Sequence, residues 1–394
     1  MMKMTENSYS AENIFDRSCV EIDLDALKHN FEEIKKATTP GTGILAVVKA
    51  DAYGHGALET AKTLIDSGAA GLCLATIDEA VELRKHGIDV PMMTLGFTDP
   101  SRFKDAVRYD VEQAVYSYEI AKALSDEAVK AGKKCRIHIK LDTGMGRIGF
   151  KTDGSETGEI VKSCTLPGIE PYGVFSHFAA ADTDDDDYTR LQYDLFMKQI
   201  DVLDKEGIRF AKRHICNSAG ILRFPEMHLD MVRAGIILYG LMPPGCPKPV
   251  VDINLKPVMN WYAKVIHVKT VPAGATISYG RHFTAAKPTE VTTVGIGYAD
   301  GLSRRLSNGF ELLIGGKKCP IIGNICMDMC MVDTTDLDVR PKVGDKVTVF
   351  GNERSADELA DRLGTINYEI TCDVGKRVRR LRRRTVVLFA PHNR

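Results

Sequence analysis

The stretch ILAVVKADAYGHGALETAKTLIDSGAAGLCLATIDEAVELRKHG, residues 44–87, decides the fold class. It opens on a short apolar run at 44–49, turns through Gly54 and Gly56, and continues as an amphipathic segment of helical period at 58–67. It then repeats the pattern, with an apolar run at 71–76 and a helical segment at 77–85. Short β-branched runs bounded by turn residues read as buried strands, and the longer periodic segments as helices. Working outward, the apolar runs recur at 92–96, 113–117, 136–142, 172–178, 213–218 and 231–239. Helical segments lie at 118–131 and 191–206, and 219–224 has room for a turn or two more. Parallel neighbours need a crossover helix. Eight such units therefore predict a closed α/β barrel of the TIM type. The alternative, a doubly wound open sheet, would open its first helix on a Gly-x-Gly-x-x-Gly turn, and residues 47–57 hold none.

The pattern changes after Met242, where Pro243, Pro244, Pro247 and Pro249 crowd one short stretch and read as a linker. Beyond it, strand-like runs at 258–270, 290–297, 311–314, 320–332 and 346–350 are joined by Gly and Asn turns without intervening helices. That is the pattern of a mainly antiparallel β domain. The expected organisation is a tail at 1–15, a barrel at 16–250 and a β domain at 251–394. The strand at 19–24 is free to join either domain.

A net charge of −1 over 394 residues gives no field to attract nucleic acid or an anionic membrane, so neither is expected as a partner. The ten cysteines include no Cys-x-x-Cys pair and complete no zinc set with histidine, so no metal is expected. Reduced thiols, an N-terminus without the apolar core of a signal peptide and no run of membrane-spanning length point to the cytoplasm. The acidic run around Asp182 and 184–187 and the basic run 376–384 read as a solvated loop and a solvated edge strand.

Barrel chemistry sits at the C-terminal ends of the strands. Strand one ends in Lys49, strand five carries Lys140 and Asp142 with Arg147 just beyond, strand six ends at His177, strand seven at Asn217 and Ser218, and strand eight contains Arg233 and Gly235. Such a cationic mouth calls for an anion, and the loops after strands seven and eight are where barrels commonly hold phosphate. A phosphate site facing a strand-one lysine has two explanations: a cofactor-free Schiff-base aldolase acting on a sugar phosphate, or pyridoxal phosphate joined to the lysine.

The run VVKADAYGHGA (47–57) resembles the pyridoxal-phosphate lysine segment of the bacterial alanine racemase family. So do HIKLDTGMGRIG (138–149), HICNSAG (214–220), MVRAGIILYG (231–240), ISYG (277–280), GYADG (297–301), ICMDMCMVD (325–333) and INYEI (366–370), in the family's order. The resemblance implies the barrel-plus-β-domain fold, a homodimer with composite active sites, pyridoxal phosphate as cofactor and interconversion of L- and D-alanine by two bases. It assigns covalent attachment and one base to Lys49, and the other base, from the partner subunit, to Tyr279. Tyr53, Ser218, Gly235, Ile236 and Tyr368 would hold the phosphate with Asn217 beside them, Arg233 would face the ring nitrogen, and Arg147 the ring oxygen. Arg147 would be held by a carbamylated Lys140, and His177 would link Arg233 to the second base. Met327 and Asp328 would meet the substrate, and Tyr298 and Tyr368 would narrow the way in.

Two bases make sense for racemisation, because a proton must leave one face of a flat centre and return to the other. Arginine at the ring nitrogen is a donor that cannot take up the ring's proton, which leaves the ring a weaker electron sink. The family also implies a supply of D-alanine for cell walls. Serine or broad-specificity racemases share most of these motifs. A barrel-type pyridoxal-phosphate decarboxylase would want an acid where Arg233 stands, and a non-catalytic pyridoxal-phosphate carrier would leave the second domain unexplained. The run 376–380 carries arginine before its last arginine where relatives commonly have proline.

Overall fold

The computed structural model describes residues 17–384, so the tail expected at 1–15 lies outside the described residues. The chain divides into two compact units. One is residues 27–255. The other joins the described residues before 27 to those from 256 onward.

The first unit is built on eight parallel strands. In chain order they are Gly43–Val47, Gly71–Leu74, Met92–Thr94, Glu112–Val115, Cys135–Asp142, Ile169–Phe175, Lys212–His214 and Met231–Ala234. The last pairs with the first, and the rest follow in sequence order round to the seventh. Two backbone bonds draw the seventh and eighth together: Arg233 N–H donates to Cys216 O at 3.0 Å, and Asp230 N–H to Arg213 O at 3.2 Å. The sheet is thus a nearly closed barrel of the kind the alternation predicts. Its helices Ala57–Asp66, Ile77–Lys85 and Tyr118–Lys130 sit where the periodicity puts them, while Asp186–Lys205 begins five residues before the expected 191, inside the acidic run expected as a loop, because Asp185 caps it there. Thr76 and Glu79 form a capping box at the start of Ile77–Lys85. Ala46, Leu72, Ile137, Ile139 and Val174 of these strands are all fully buried.

Most of the strands are shorter than their apolar runs, and two of these bear on the site. The first stops at Val47, so Lys49 stands past its end. The eighth stops at Ala234 because Gly235, at φ −117° and ψ −107°, turns the chain into the short 3₁₀ segment Ile236–Tyr239.

In the second unit the strand Met259–Val271 is the spine. It pairs antiparallel with Ser18–Asp23, Lys346–Phe350 and Thr289–Val294, and a register shift between Val265 and His267 lets one strand serve several partners. Ser18–Asp23 in turn pairs parallel with Arg379–Arg383, which forms the sheet edge. Trp261 and Phe350 meet edge to face at 5.6 Å in the core. The run expected as one strand at 320–332 is two pieces, Lys317–Pro320 and Cys330–Asp333. Gly323 at φ 73° turns the chain between them, and Cys326 N–H donates back to Met329 O at 2.9 Å. Two helices, Ala356–Leu363 and Asn367–Cys372, complete this unit. Ser355 caps the first, and Gly364 closes it in the left-handed region.

Candidate active site

The barrel mouth is shaped first by its backbone. After Val48 the chain enters a single left-handed turn, with Ala50, Asp51, Ala52 and Tyr53 all at φ between 53° and 55°. Each such residue costs ~1–2 kcal/mol against the right-handed form, and strain of this kind gathers at functional sites. Glu79 holds the turn. Its carboxylate accepts from Ala50 N–H at 2.7 Å and Ala75 N–H at 2.8 Å, while Asp51 caps Ala57 N–H at 2.7 Å. Lys49 opens this turn, half-buried at the C-terminal end of the first strand.

The same turn carries Tyr53 inward, and its ring lies 4.9 Å from Tyr239. Tyr53 converges with the loops after strands seven and eight. A Cβ at Gly235 would lie 3.0 Å from the Tyr53 hydroxyl and 3.4 Å from Ser218 Oγ. The missing side chain therefore leaves a cradle lined by two hydroxyls and backbone amides. Gly235 N–H points to Ser218 Oγ at 3.0 Å. Asn217 stands beside the cradle rather than in it: its side chain accepts from Gly220 N–H at 2.9 Å and so caps the helix Ser218–Arg223.

Arg233 crosses the barrel beneath. It is 3% exposed, and burial pushes its guanidinium down to about 10. Its donors reach Ser176 O at 2.7 Å, Ile215 O at 2.8 Å, His214 Nδ1 at 2.7 Å and His177 Nδ1 at 3.2 Å. Since His177 accepts through Nδ1, its proton sits on Nε2. Lack of water and the Arg233 charge hold His177 well below the usual histidine range.

Lys140 is 2% exposed, and its Nζ has no hydrogen-bond partner among the described residues. It lies 4.7 Å from the centre of the Phe175 ring. Burial, then the Arg233 and Arg147 charges, hold the amine well below the usual lysine range. Arg147 is exposed on the loop after strand five. The Asp142 carboxylate is engaged by Gly144 and Gly146 N–H at 3.0 Å each, which shapes that loop.

The remaining candidates lie in the second unit. Tyr279 stands on a 3₁₀ turn and is 73% exposed. Its backbone is pinned, since Asn324 Nδ2 donates to Tyr279 O at 2.7 Å and Ser278 Oγ to Asn324 O at 2.6 Å. Tyr298 N–H donates to Cys326 O at 3.0 Å, and Ala299 N–H to Met327 O at 3.0 Å, so the Tyr298 turn and the Met327 turn are one assembly. Under it Asp300, fully buried, binds Arg17 and Arg377. Asp328 is paired with Arg377 at 2.8 Å. Tyr368 is half-buried on the helix Asn367–Cys372.

The barrel therefore brings Lys49, Tyr53, Lys140, His177, Ser218, Arg233, Gly235 and Ile236 to one end, while Tyr279, Tyr298, Met327, Asp328 and Tyr368 belong to the other unit. Residue-by-residue reading missed Glu79, Glu112, His138 and His214. The Thr-x-x-Glu capping signature marked Glu79. The polar residues within or beside the apolar runs at 113–117, 136–142 and 213–218 were the signal for the others.

The alanine racemase N-terminal domain family matches residues 22–243, and the alanine racemase C-terminal domain family matches residues 258–382. The chain is 47% identical to the alanine racemase of Clostridium tetani (strain Massachusetts / E88), over 92% of this chain and 94% of that one. Among solved structures, alanine racemase of Clostridium difficile 630 aligns at 40% identity and a TM-score of 0.90, over 94% of this chain and 96% of that one. Alanine racemase from Bartonella henselae with covalently bound pyridoxal phosphate aligns at 30% identity and a TM-score of 0.83, over 93% of this chain and all of that one. No helix among the described residues is long and apolar enough to cross a membrane, and no group of His, Cys, Asp or Glu among them is arranged to hold a metal ion.

Proposed function

The chain belongs to the alanine racemase family, and from that premise we propose that it interconverts L- and D-alanine with pyridoxal phosphate held on Lys49. The observation that carries the reading is the cradle at Gly235, where a missing Cβ leaves space between Tyr53 and Ser218 at the barrel end that also holds Lys49. A phosphate fits that donor set of two hydroxyls and backbone N–H groups. Tyr53, Ser218, Gly235, Ile236 and Tyr368 would hold it, with Arg233 facing the ring nitrogen and Arg147 the ring oxygen. When bound, the cofactor withdraws electrons from the substrate's α carbon and makes its proton removable.

The protein's own groups then divide the work. Lys49 Nζ moves the proton on one face, serving D-alanine. The Tyr279 hydroxyl moves it on the other, serving L-alanine. Tyr279 would come from a second copy of the chain, with Met327 and Asp328 at the substrate carboxylate and Tyr298 and Tyr368 restricting access. The exposure of Tyr279, Tyr298 and Met327, at 73%, 43% and 52%, supports a surface awaiting a partner. Lys140 is the fitting place for a carbamate: its unpartnered, buried amine is held toward the neutral form that attacks carbon dioxide. That addition forms one N–C bond and releases the nitrogen's proton. The resulting anion would answer the surrounding cations, Arg147 and Arg233. The cytoplasm is the location proposed.

Borohydride reduction tests the assignment. The purified protein should show a visible absorption band that reduction removes, leaving the cofactor covalently fixed to Lys49 and no other lysine. Label elsewhere, or none, sinks it. Chiral analysis with L-alanine and L-serine as competing substrates should show alanine turned over faster.

A further inference from the structure

Arg233 is a buried cation whose described donors reach only carbonyl oxygens and imidazoles. One of those contacts is the end of a longer series. Arg233 Nη1 meets His214 Nδ1 at 2.7 Å, His214 Nε2 meets His138 Nδ1 at 3.0 Å, and His138 Nε2 meets the Glu112 carboxylate at 2.8 Å. His138 is 1% exposed, His214 0% and Glu112 8%. Glu112 is the first residue of its strand, so the series runs from the opposite end of the barrel toward the mouth.

The sense of every bond in the series follows from one end. A guanidinium only donates. His214 Nδ1 must therefore be a bare acceptor, and its proton lies on Nε2. That proton points at His138 Nδ1, which must also accept, so the proton of His138 lies on Nε2 as well and is donated to Glu112. Any other assignment sets two N–H groups against each other. A cationic His138 would turn His214 round and put its N–H against Arg233.

The fold makes room for this arrangement. A Cβ at Gly173 would fall on His138 Nδ1, and the register of strands five and six shifts at His138, opposite Tyr172. Phe175 stacks on His214 at 5.0 Å, and Tyr172 meets His138 edge-on at 5.7 Å. A cavity of about 30 Å³ at the Glu112 end is lined by Glu112, His138, Tyr172 and Met231. Beside it Arg136 lies 3.8 Å from the other oxygen of Glu112 and 3.2 Å from Glu170.

We propose that Glu112, His138 and His214 form a directional relay that fixes how Arg233 is presented at the barrel mouth, with Glu112 as its anchor and the counter-charge to the buried guanidinium. All three are positioning residues, because they touch Arg233 or one another rather than substrate. The consequence for turnover rests on the reading of Arg233 as the group facing the cofactor's ring nitrogen. The proton positions do not.

The test is nuclear magnetic resonance of the full-length holoenzyme with isotope-labelled histidine near neutral pH, on the native protein, Glu112→Leu and Glu112→Gln. In the native protein both His138 and His214 should be neutral with the proton on Nε2. Leucine removes the acceptor, so the His214 signals should move although His214 is two hydrogen bonds away. The turnover number should fall ~10-fold while KM shifts less than about twofold, the size of effect expected for one orphaned buried donor. Glutamine keeps a carbonyl acceptor, so it should retain the native His214 pattern and recover most of the turnover. A purely structural Glu112 would leave His214 unmoved in both variants. A proton on Nδ1 of His138 or His214, or a cationic ring, in the native protein overturns the relay even if Glu112→Leu fails to fold. Native proton positions in a protein that takes no borohydride label would keep the relay and remove only the cofactor reading.

Discussion

The barrel mouth and the Tyr279 surface of the second unit treat polar groups in opposite ways. In the barrel, Arg233, His138, His214 and Lys140 are each 3% exposed or less, and their orientations follow from neighbours a few ångströms away. In the second unit, Tyr279, Tyr298 and Met327 stand out in solvent while their backbones are pinned through Asn324, Cys326 and one another. Fixed backbone under exposed side chains is how a protein displays groups to something else, whereas buried networks complete themselves. The barrel's buried side chains are therefore set by their own neighbours, and the second unit's contribution depends on what it meets.

The largest effect expected from this contrast is on turnover. Lys49→Ala and Tyr279→Phe should each be nearly inactive, by ~10²–10⁴-fold or more. If the exposed tyrosine serves a second copy, mixing the two variants under conditions of subunit exchange should restore roughly a quarter of native activity, because half of the random pairs each contain one intact site. Exchange without recovery would place the two residues in separate roles.

The face assignment is tested by isotope exchange, since equilibrium forces both net directions to fall together. In deuterium oxide, Tyr279→Ala should wash deuterium into D-alanine through Lys49, while exchange into L-alanine drops ~10²–10⁴-fold. Equal loss from both enantiomers breaks the two-base reading.

A smaller change probes the barrel alone. Gly235→Ala sets a Cβ 3.0 Å from the Tyr53 hydroxyl and 3.4 Å from Ser218 Oγ. Cofactor affinity should fall ~10-fold by equilibrium dialysis. Unaltered affinity would move the phosphate elsewhere.

The smallest effect is on acid stability. His177 and His214 are held well below the usual histidine range by burial and by Arg233. Below about pH 6.5 the unfolded chain takes up protons that these folded imidazoles refuse. Stability should therefore be full above that pH and fall as the pH drops, by up to ~1.4 kcal/mol per pH unit for each histidine. Denaturant titration from pH ~7.5 to ~5.5 reads the slope, and Arg233→Leu should flatten it.

Periodicity was enough for the architecture. The runs at 44–49 and 71–76 are bounded by turns and followed by helical stretches, and each became a parallel strand with its crossover helix. The antiparallel domain was legible from turn residues without helices between them. The helix Ala356–Leu363 was not read, although Ser355 and Gly364 mark its ends, because the strands before it set the expectation of an all-β region. The strand Ser18–Asp23 was left open, since its two partners are far away in the chain at Met259–Val271 and Arg379–Arg383.

For the site, the sequence by itself determined which residue types stand near the strand ends: Lys49, His177, Ser218 and Arg233 follow from the apolar runs and the barrel rule. It also carried the motifs that mark the family. Only the tertiary structure decided what each could do. The left-handed turn after Val48 rests on Glu79, an acceptor on another element. The cradle at Gly235 is a missing Cβ seen from two other loops. The proton positions on His138 and His214 follow from Arg233 and Glu112, which reach them from different strands. Local pattern fixes where a side chain leaves the backbone, but hydrogen-bond sense, burial and counter-charge are set by atoms distant in the chain, and these become neighbours only when the barrel closes.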